Sequence, residues 1–211
     1  MLRCLLVLSL LPLVGCSTVA PNRVITQATR DWRQVATAAD RQRLRGWRTA
    51  WVNALRQAEA AGYAGQVRHE GALLQPDLAL GGAGLPNGTY RCRTIKLGAR
   101  NQGSLPFVAY SPFICRVQQE RDLQGFAKLS GSQRQVGLLF PGDQLRQVFL
   151  GTLVLGDERR ATQYGVDEAR DLAGFVERIG PQRWRMVLPS PRYESLLDVL
   201  ELVPEPTTPS P

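Results

Sequence analysis

The sequence predicts an α+β fold: an N-terminal amphipathic helix followed by a mainly antiparallel β-meander that curls into a small barrel or half-barrel. Three observations predict it. Leu44, Trp47, Trp51, Leu55 and Ala58 recur at spacings of three and four, the period of a helix with one apolar face. After Gly81-Gly82-Ala83-Gly84 and Pro86-Asn87-Gly88 the pattern changes to short runs rich in β-branched and aromatic residues. Those runs are joined by Ser130-Gly131-Ser132, Pro141-Gly142-Asp143 and Gly180-Pro181-Gln182, turns short enough for hairpins and therefore for antiparallel pairing.

The order of elements begins with an address. Arg3 supplies a positive start and Leu5 to Leu13 an apolar stretch too brief to remain as a membrane-spanning helix. Leu13-Val14-Gly15-Cys16 then reads as the cleavage and lipidation site of a bacterial lipoprotein, because lipid attachment needs a nucleophilic thiol and the peptidase needs modest side chains just upstream. Residues 1–15 are thus expected to be a signal peptide that is removed, and Cys16 the lipid-bearing residue. A modified cysteine carries several acyl chains, and two or more make anchoring stable. Ser17, rather than Asp, follows it and resembles cargo sent to the outer membrane, so the expected location is the cell envelope, lipid-anchored and facing the periplasm. Residues 16–29, small and polar with Pro21 and Asn22, suit a tether.

Residues 30–80 form the helical segment. Thr37-Ala38-Ala39-Asp40 is a capping-box-like start, and Gly62 is the stop of a helix running from Ala38 to Ala61, about 36 Å long. Arg41, Arg45, Arg48 and Arg56 partly occupy the face away from Trp47 and Trp51; a tryptophan stripe at this spacing points to core packing rather than a membrane surface.

Residues 81–203 form the β domain. Its strands are predicted at 89–97, 107–110, 113–118, 125–129, 136–140, 148–155, 174–178 and 183–188. Alternation is clearest at Trp184, Met186 and Leu188, which share an inward face while Arg183 and Arg185 point the other way. The last apolar segment, 196–203, carries polar residues at helical spacing, yet Val199 and Val203 and the need to finish a sheet favour a strand. About eight meandering strands suit a closed barrel, or a half-barrel whose edge the helix covers. Residues 204–211, rich in proline, are expected to be an unpacked tail.

Cysteine usage agrees with an oxidising compartment. With Cys4 in the leader and Cys16 carrying lipid, Cys92 and Cys115 remain as an even pair on two strand-like runs, which predicts a structural disulfide. They lack the CxxC spacing and the neighbouring histidine of a redox or metal pair. The formal net charge is +8, carried almost wholly by arginine, with Lys96 and Lys128 the only lysines. No basic run is interleaved with stacking aromatics, so nucleic acid is not an expected partner. Anionic head groups, lipopolysaccharide phosphates and cell-wall polymers remain, although scattered arginines equally describe a solvated face. No sequence feature calls for a cofactor or metal.

Catalysis has little support in these residues. His69 is the sole histidine and lacks the second ligand of HExxH, and no GxSxG elbow is present. Asp157, Glu158, Asp167, Glu168 and Asp171 cluster, and a facing pair could cleave wall glycans; acidic residues in an arginine-rich loop more often form ion pairs. The favoured class is therefore a lipid-anchored, non-catalytic envelope module that binds a small, anionic ligand or another envelope protein, with Lys128, Arg134, Tyr164 and Trp184 as candidate ligand-binding residues beside strand ends. A glycan-cleaving enzyme and an inhibitor of a lysozyme or protease are the alternatives.

Several stretches carry a resemblance. Asp31-Trp32-Arg33, Trp47 to Trp51, Gly125 to Leu129 with Gly131 to Arg134, Phe149 to Leu153, and Val176 to Gly180 through Trp184-Arg185 resemble an uncharacterised family of short Gram-negative lipoproteins, a domain of unknown function. The resemblance spans most of the chain beyond the leader and implies no activity.

Overall fold

The computed structural model describes residues 24–82 and 84–206. The expected signal peptide, Cys16, the first part of the tether and the last residues of the proline-rich tail lie outside the described residues. Val24 and Ile25 belong to the folded body: Ile25 is buried among Val35, Leu44 and Phe140, and the Val24 carbonyl accepts from the Tyr164 N–H.

The helices come first: α1 (Trp32–Val35), α2 (Ala38–Arg45), α3 (Trp47–Ala58) and α4 (Ala64–His69), with a wide turn at Glu59–Tyr63 and a 3-10 turn at Gly71–Leu74. Thr37 caps α2, its hydroxyl accepting from the Asp40 N–H at 3.1 Å. The single helix expected over Ala38–Ala61 is interrupted at Gly46, whose N–H closes α2 on the Gln42 carbonyl. Packing explains the interruption: α2 lies against one strand of the barrel wall and α3 against others, and a straight rod could not follow that curvature. Gly62, at φ +93°, kinks the chain where the sequence predicts a stop, and helix resumes at Ala64.

Among the described residues nine strands follow: β1 (Gly88–Ala99), β2 (Phe107–Ala109), β3 (Phe113–Glu120), β4 (Leu123–Lys128), β5 (Gln133–Pro141), β6 (Arg146–Leu155), β7 (Asp171–Gly180), β8 (Arg183–Pro189) and β9 (Ser195–Pro204). Neighbours pair antiparallel in chain order, and β9 returns to β1, from Tyr90↔Pro204 to Ala99↔Ser195. Eight strands therefore close a barrel, which removes the exposed edges that an open sheet would present. β2 is the extra strand. It pairs with β1 at residues 95–97, on the edge that β3 occupies at residues 88–92.

The Cys92–Cys115 disulfide bridges that β1–β3 seam diagonally, with a Cα–Cα distance of 5.8 Å. Both sulfurs face inward, where Tyr90, Val117, Phe126, Phe149, Trp184, Met186 and Leu200 fill the barrel. Gly137 and Gly151 face one another inside; a Cβ on either would stand within 2.8 Å of the Phe149 ring and within 2.3 Å of a backbone oxygen of the facing strand. Their bareness lets the wall coil tightly and leaves room for the ring.

Outside the wall, Trp51, Ala54 and Ala58 of α3 pack on Ile95, Leu97, Val187 and Val199. This covering makes both faces of β1, β8 and β9 apolar over part of their length, so strict alternation fades there. Arg185 points away from the barrel interior, as the alternation predicts, and is wholly buried beneath the helical segment. Its guanidinium meets Glu177 at 2.6 Å, donates to the carbonyls of Ala72, Leu73, Gln75 and Pro76, and lies over the Trp51 ring. Those carbonyls end the helical segment, so one arginine fastens it to the barrel.

Candidate functional site: two ends of one barrel

The strands position chemistry at both ends of the barrel. One end gathers the start of β4, the end of β5, the start of β6, the end of β7 and the start of β8, and opens into a cavity of about 490 Å³. Its floor is apolar, formed by Leu139, Val176 and Trp184. The segment before β1 crosses this mouth and inserts Leu85 into the interior. Two glutamines clamp it: the Leu85 N–H donates to Gln147 Oε1 at 3.0 Å, and Gln124 Nε2 donates to the Leu85 carbonyl at 2.9 Å. Arg178 Nη2 holds the same segment through the Gly81 carbonyl.

Two donors at this end have no acceptor. Arg178 and Trp184 are cross-strand partners on β7 and β8, both lining the cavity, and the buried Trp184 Nε1–H and Arg178 Nε–H are unpartnered among the described residues. Leaving a buried donor unmet costs about 1–3 kcal/mol.

The opposite end is built by alternation on β1. Tyr90 and Cys92 point inward with apolar surface; two and four residues on, Thr94 and Lys96 point inward too. Lys128, at the end of β4 opposite Cys115, joins them. A cavity of about 80 Å³ lies between Thr94, Lys96, Lys128 and Gln135, rimmed by Tyr110 and Glu194. The two lysines differ in what they touch. Lys96 Nζ meets Asp198 at 3.0 Å and Glu194 at 3.4 Å, and Asp198 also accepts from the Ser195 hydroxyl. Burial works against the Lys96 charge, but Asp198 and Glu194 outweigh it and raise its pKa. Lys128 Nζ donates only to the Gln133 carbonyl, at 2.9 Å, and sits 3.8 Å from the Phe113 ring centre, with no carboxylate in ion-pair range among the described residues. Burial, with Lys96 acting in the same sense, lowers its pKa to about 8.

The four candidate ligand residues from the sequence do not converge. Lys128 and Trp184 line opposite ends. Arg134 stands near Lys128 but spends its guanidinium on the carbonyls of Gly131, Gly156 and Glu158, fixing the β4–β5 turn against the loop after β6. Tyr164 lies outside the wall, where its hydroxyl donates to Asp40 and accepts from the Thr37 N–H; burial, with Asp40, raises its pKa. Sequence reasoning missed Lys96, Thr94, Gln135 and Arg178. One signal was available: of 26 basic residues only two are lysine, and the fold brings both to one pocket.

The acidic cluster is spread through ion pairs. Glu158 meets Arg170 at 2.8 Å, and that hydrogen bond holds its pKa down at about 2; Glu168 pairs with Arg192. Asp171 is buried, accepts from the Gly165 N–H, and is pushed up to about 6 by burial. His69 ends α4 and is exposed.

A family model described as a domain of unknown function, DUF4893, matches residues 32–202. The chain belongs to that family. No curated protein and no solved structure matches it. The DUF4893 match runs from α1 nearly to the end of β9, so the helical cover, the closed barrel and both of its ends lie within the family's domain.

Proposed function

We propose that this DUF4893 protein is a lipid-anchored, non-catalytic binding module of the bacterial cell envelope, held by Cys16 at the outer membrane and facing the periplasm, whose barrel takes a small anionic ligand. The lipobox at Leu13-Val14-Gly15-Cys16 supports the location, and the internal disulfide suits an oxidising compartment. One observation carries the ligand reading: Trp184 Nε1–H and Arg178 Nε–H, both buried and both lacking an acceptor, border a cavity of about 490 Å³ with an apolar floor. That volume falls in the range of small-molecule sites, and the pairing of donors with Leu139 and Val176 suits a carboxylate or phosphate carried on an apolar body. Ion pairing of Glu158 and Glu168 favours this reading over glycan cleavage, which needs two carboxyls facing across a cleft.

The test uses octanoate and N-acetylmuramate as probes in calorimetric titration. Saturable binding of either probe, weakened about tenfold in Trp184→Phe while the fold persists, is expected, since that change removes the N–H and keeps a ring. Failure of both probes to bind, or equal binding by the variant, contradicts the ligand reading. For the location, Cys16→Ser should move the protein from the membrane to the soluble periplasmic fraction; membrane retention of that variant contradicts the anchor.

A further inference from the structure

The lysine end of the barrel differs from most other buried charges among the described residues, Asp171, which keeps one backbone N–H donor, being the other without an ion pair. Glu70 and Glu201 share Arg93, Glu177 is held between Arg146 and Arg185, and Asp40 meets Arg43. Lys128, only 5% exposed, has a carbonyl and a phenyl ring. Two more buried polar atoms stand beside it without partners, Thr94 Oγ1 and Gln135 Oε1, on residues 4% and 2% exposed. The cavity they share with Lys96 is too small for an extended ligand and large enough for a group of a few heavy atoms. Apolar packing could have filled it, as it fills the middle of the barrel.

We infer that the pocket between Thr94, Lys96, Lys128 and Gln135 is a second binding site, distinct from the Trp184 cavity, for a small oxyanion: a carboxylate or phosphate group that accepts from Lys128 Nζ and the Thr94 hydroxyl. Lys96 is already paired with Asp198 and Glu194, so Lys128 supplies the charge that the anion meets. The Gln135 amide is free to present either its oxygen or its NH₂ to the pocket, because the two assignments differ only by a flip. Gly131 is part of the construction: a Cβ there would stand 3.3 Å from Lys128 Nζ and 2.9 Å from the Phe113 ring, so its bareness leaves room around the ammonium. Arg134 holds the turn that carries Gly131 and acts as a positioning residue. Tyr110 and Glu194 also line the pocket, and Glu194 is the acidic group there, paired with Lys96.

Because the chain has two lysines, protein labelled with carbon-13 at lysine Cε gives one signal for each. Titration with inorganic phosphate and, separately, with acetate at neutral pH should shift the Lys128 signal saturably and move the Lys96 signal less. Preference for phosphate assigns the site to free or terminal phosphate groups, and preference for acetate to carboxylates; either supports it. Affinity should fall as pH rises through about 8, where Lys128 loses its proton, with Lys96, Asp198, Glu194 and Arg134 as the surrounding charges. Thr94→Val, which removes an unpartnered hydroxyl and should fold normally, should weaken binding about tenfold. Trp184→Phe should leave it unchanged, which separates this site from the other cavity. Absence of a saturable shift with both anions well above millimolar, or a Lys128 response that survives in Thr94→Val with equal affinity, overturns the inference.

Discussion

Arg185 and Lys128 are both buried cations on the wall of one barrel, and they are treated in opposite ways. Arg185 lies outside, beneath the helices, with Glu177, four backbone carbonyls and the Trp51 face around it. Lys128 lies inside with one carbonyl and one ring. The difference teaches how to separate structural from functional burial of charge. A saturated ion joins elements that the fold must hold together, and removing it leaves partners stranded. An unsaturated ion weakens the fold that carries it unless something binds there.

Breaking the saturated side should have the largest effect. Arg185→Met strands four carbonyls and half of Glu177, whose other oxygen keeps Arg146, and should destabilise the protein by about 3–5 kcal/mol in urea denaturation. A loss below about 1 kcal/mol would erase the contrast. Next comes the brace beside the lysines. The disulfide links Cys92 to Cys115, and Cys115 pairs with Lys128 across β3 and β4. Replacing both cysteines with alanine should cost about 3 kcal/mol on the same curve, chiefly by freeing the unfolded chain. An unchanged midpoint would mean that the β1–β3 seam needs no covalent support.

Lys128→Met should have the opposite sign and no larger size. The folded pKa of about 8 lies below the ordinary 10.5, so between those values the unfolded chain binds the extra proton and wild-type stability rises with pH. The variant should therefore be more stable than wild type at neutral pH, by up to about 3 kcal/mol, and the gap should close as pH rises past about 10. Destabilisation at neutral pH would place Lys128 with Arg185 and remove the distinction.

Much of the fold was legible in local signals. Turn residues at Gly131, Gly142 and Pro181 and the alternation of Trp184, Met186 and Leu188 marked the hairpins, and Val199 and Val203 correctly favoured a strand at the end. Closure was not decided by them, because it rests on β1 meeting β9 about a hundred residues on, and a local pattern fits a half-barrel equally well. The break at Gly46 was hidden because the apolar spacing continues across it, from Leu44 to Trp47. Alternation placed Arg185 on the face away from Trp184, Met186 and Leu188, and only the tertiary fold tells that helices cover that face. The candidate sites were least legible. Lys96 and Lys128 stand on different strands, as do Arg178 and Trp184, and each pair meets only through register.

Titration of the two lysine Cε signals in the anion-free protein tests the central claim most directly. The account predicts that Lys128 titrates near 8 while Lys96, held by Asp198 and Glu194, keeps its proton beyond the ordinary lysine range. A single shared transition near 10.5, the ordinary value for both, would contradict it.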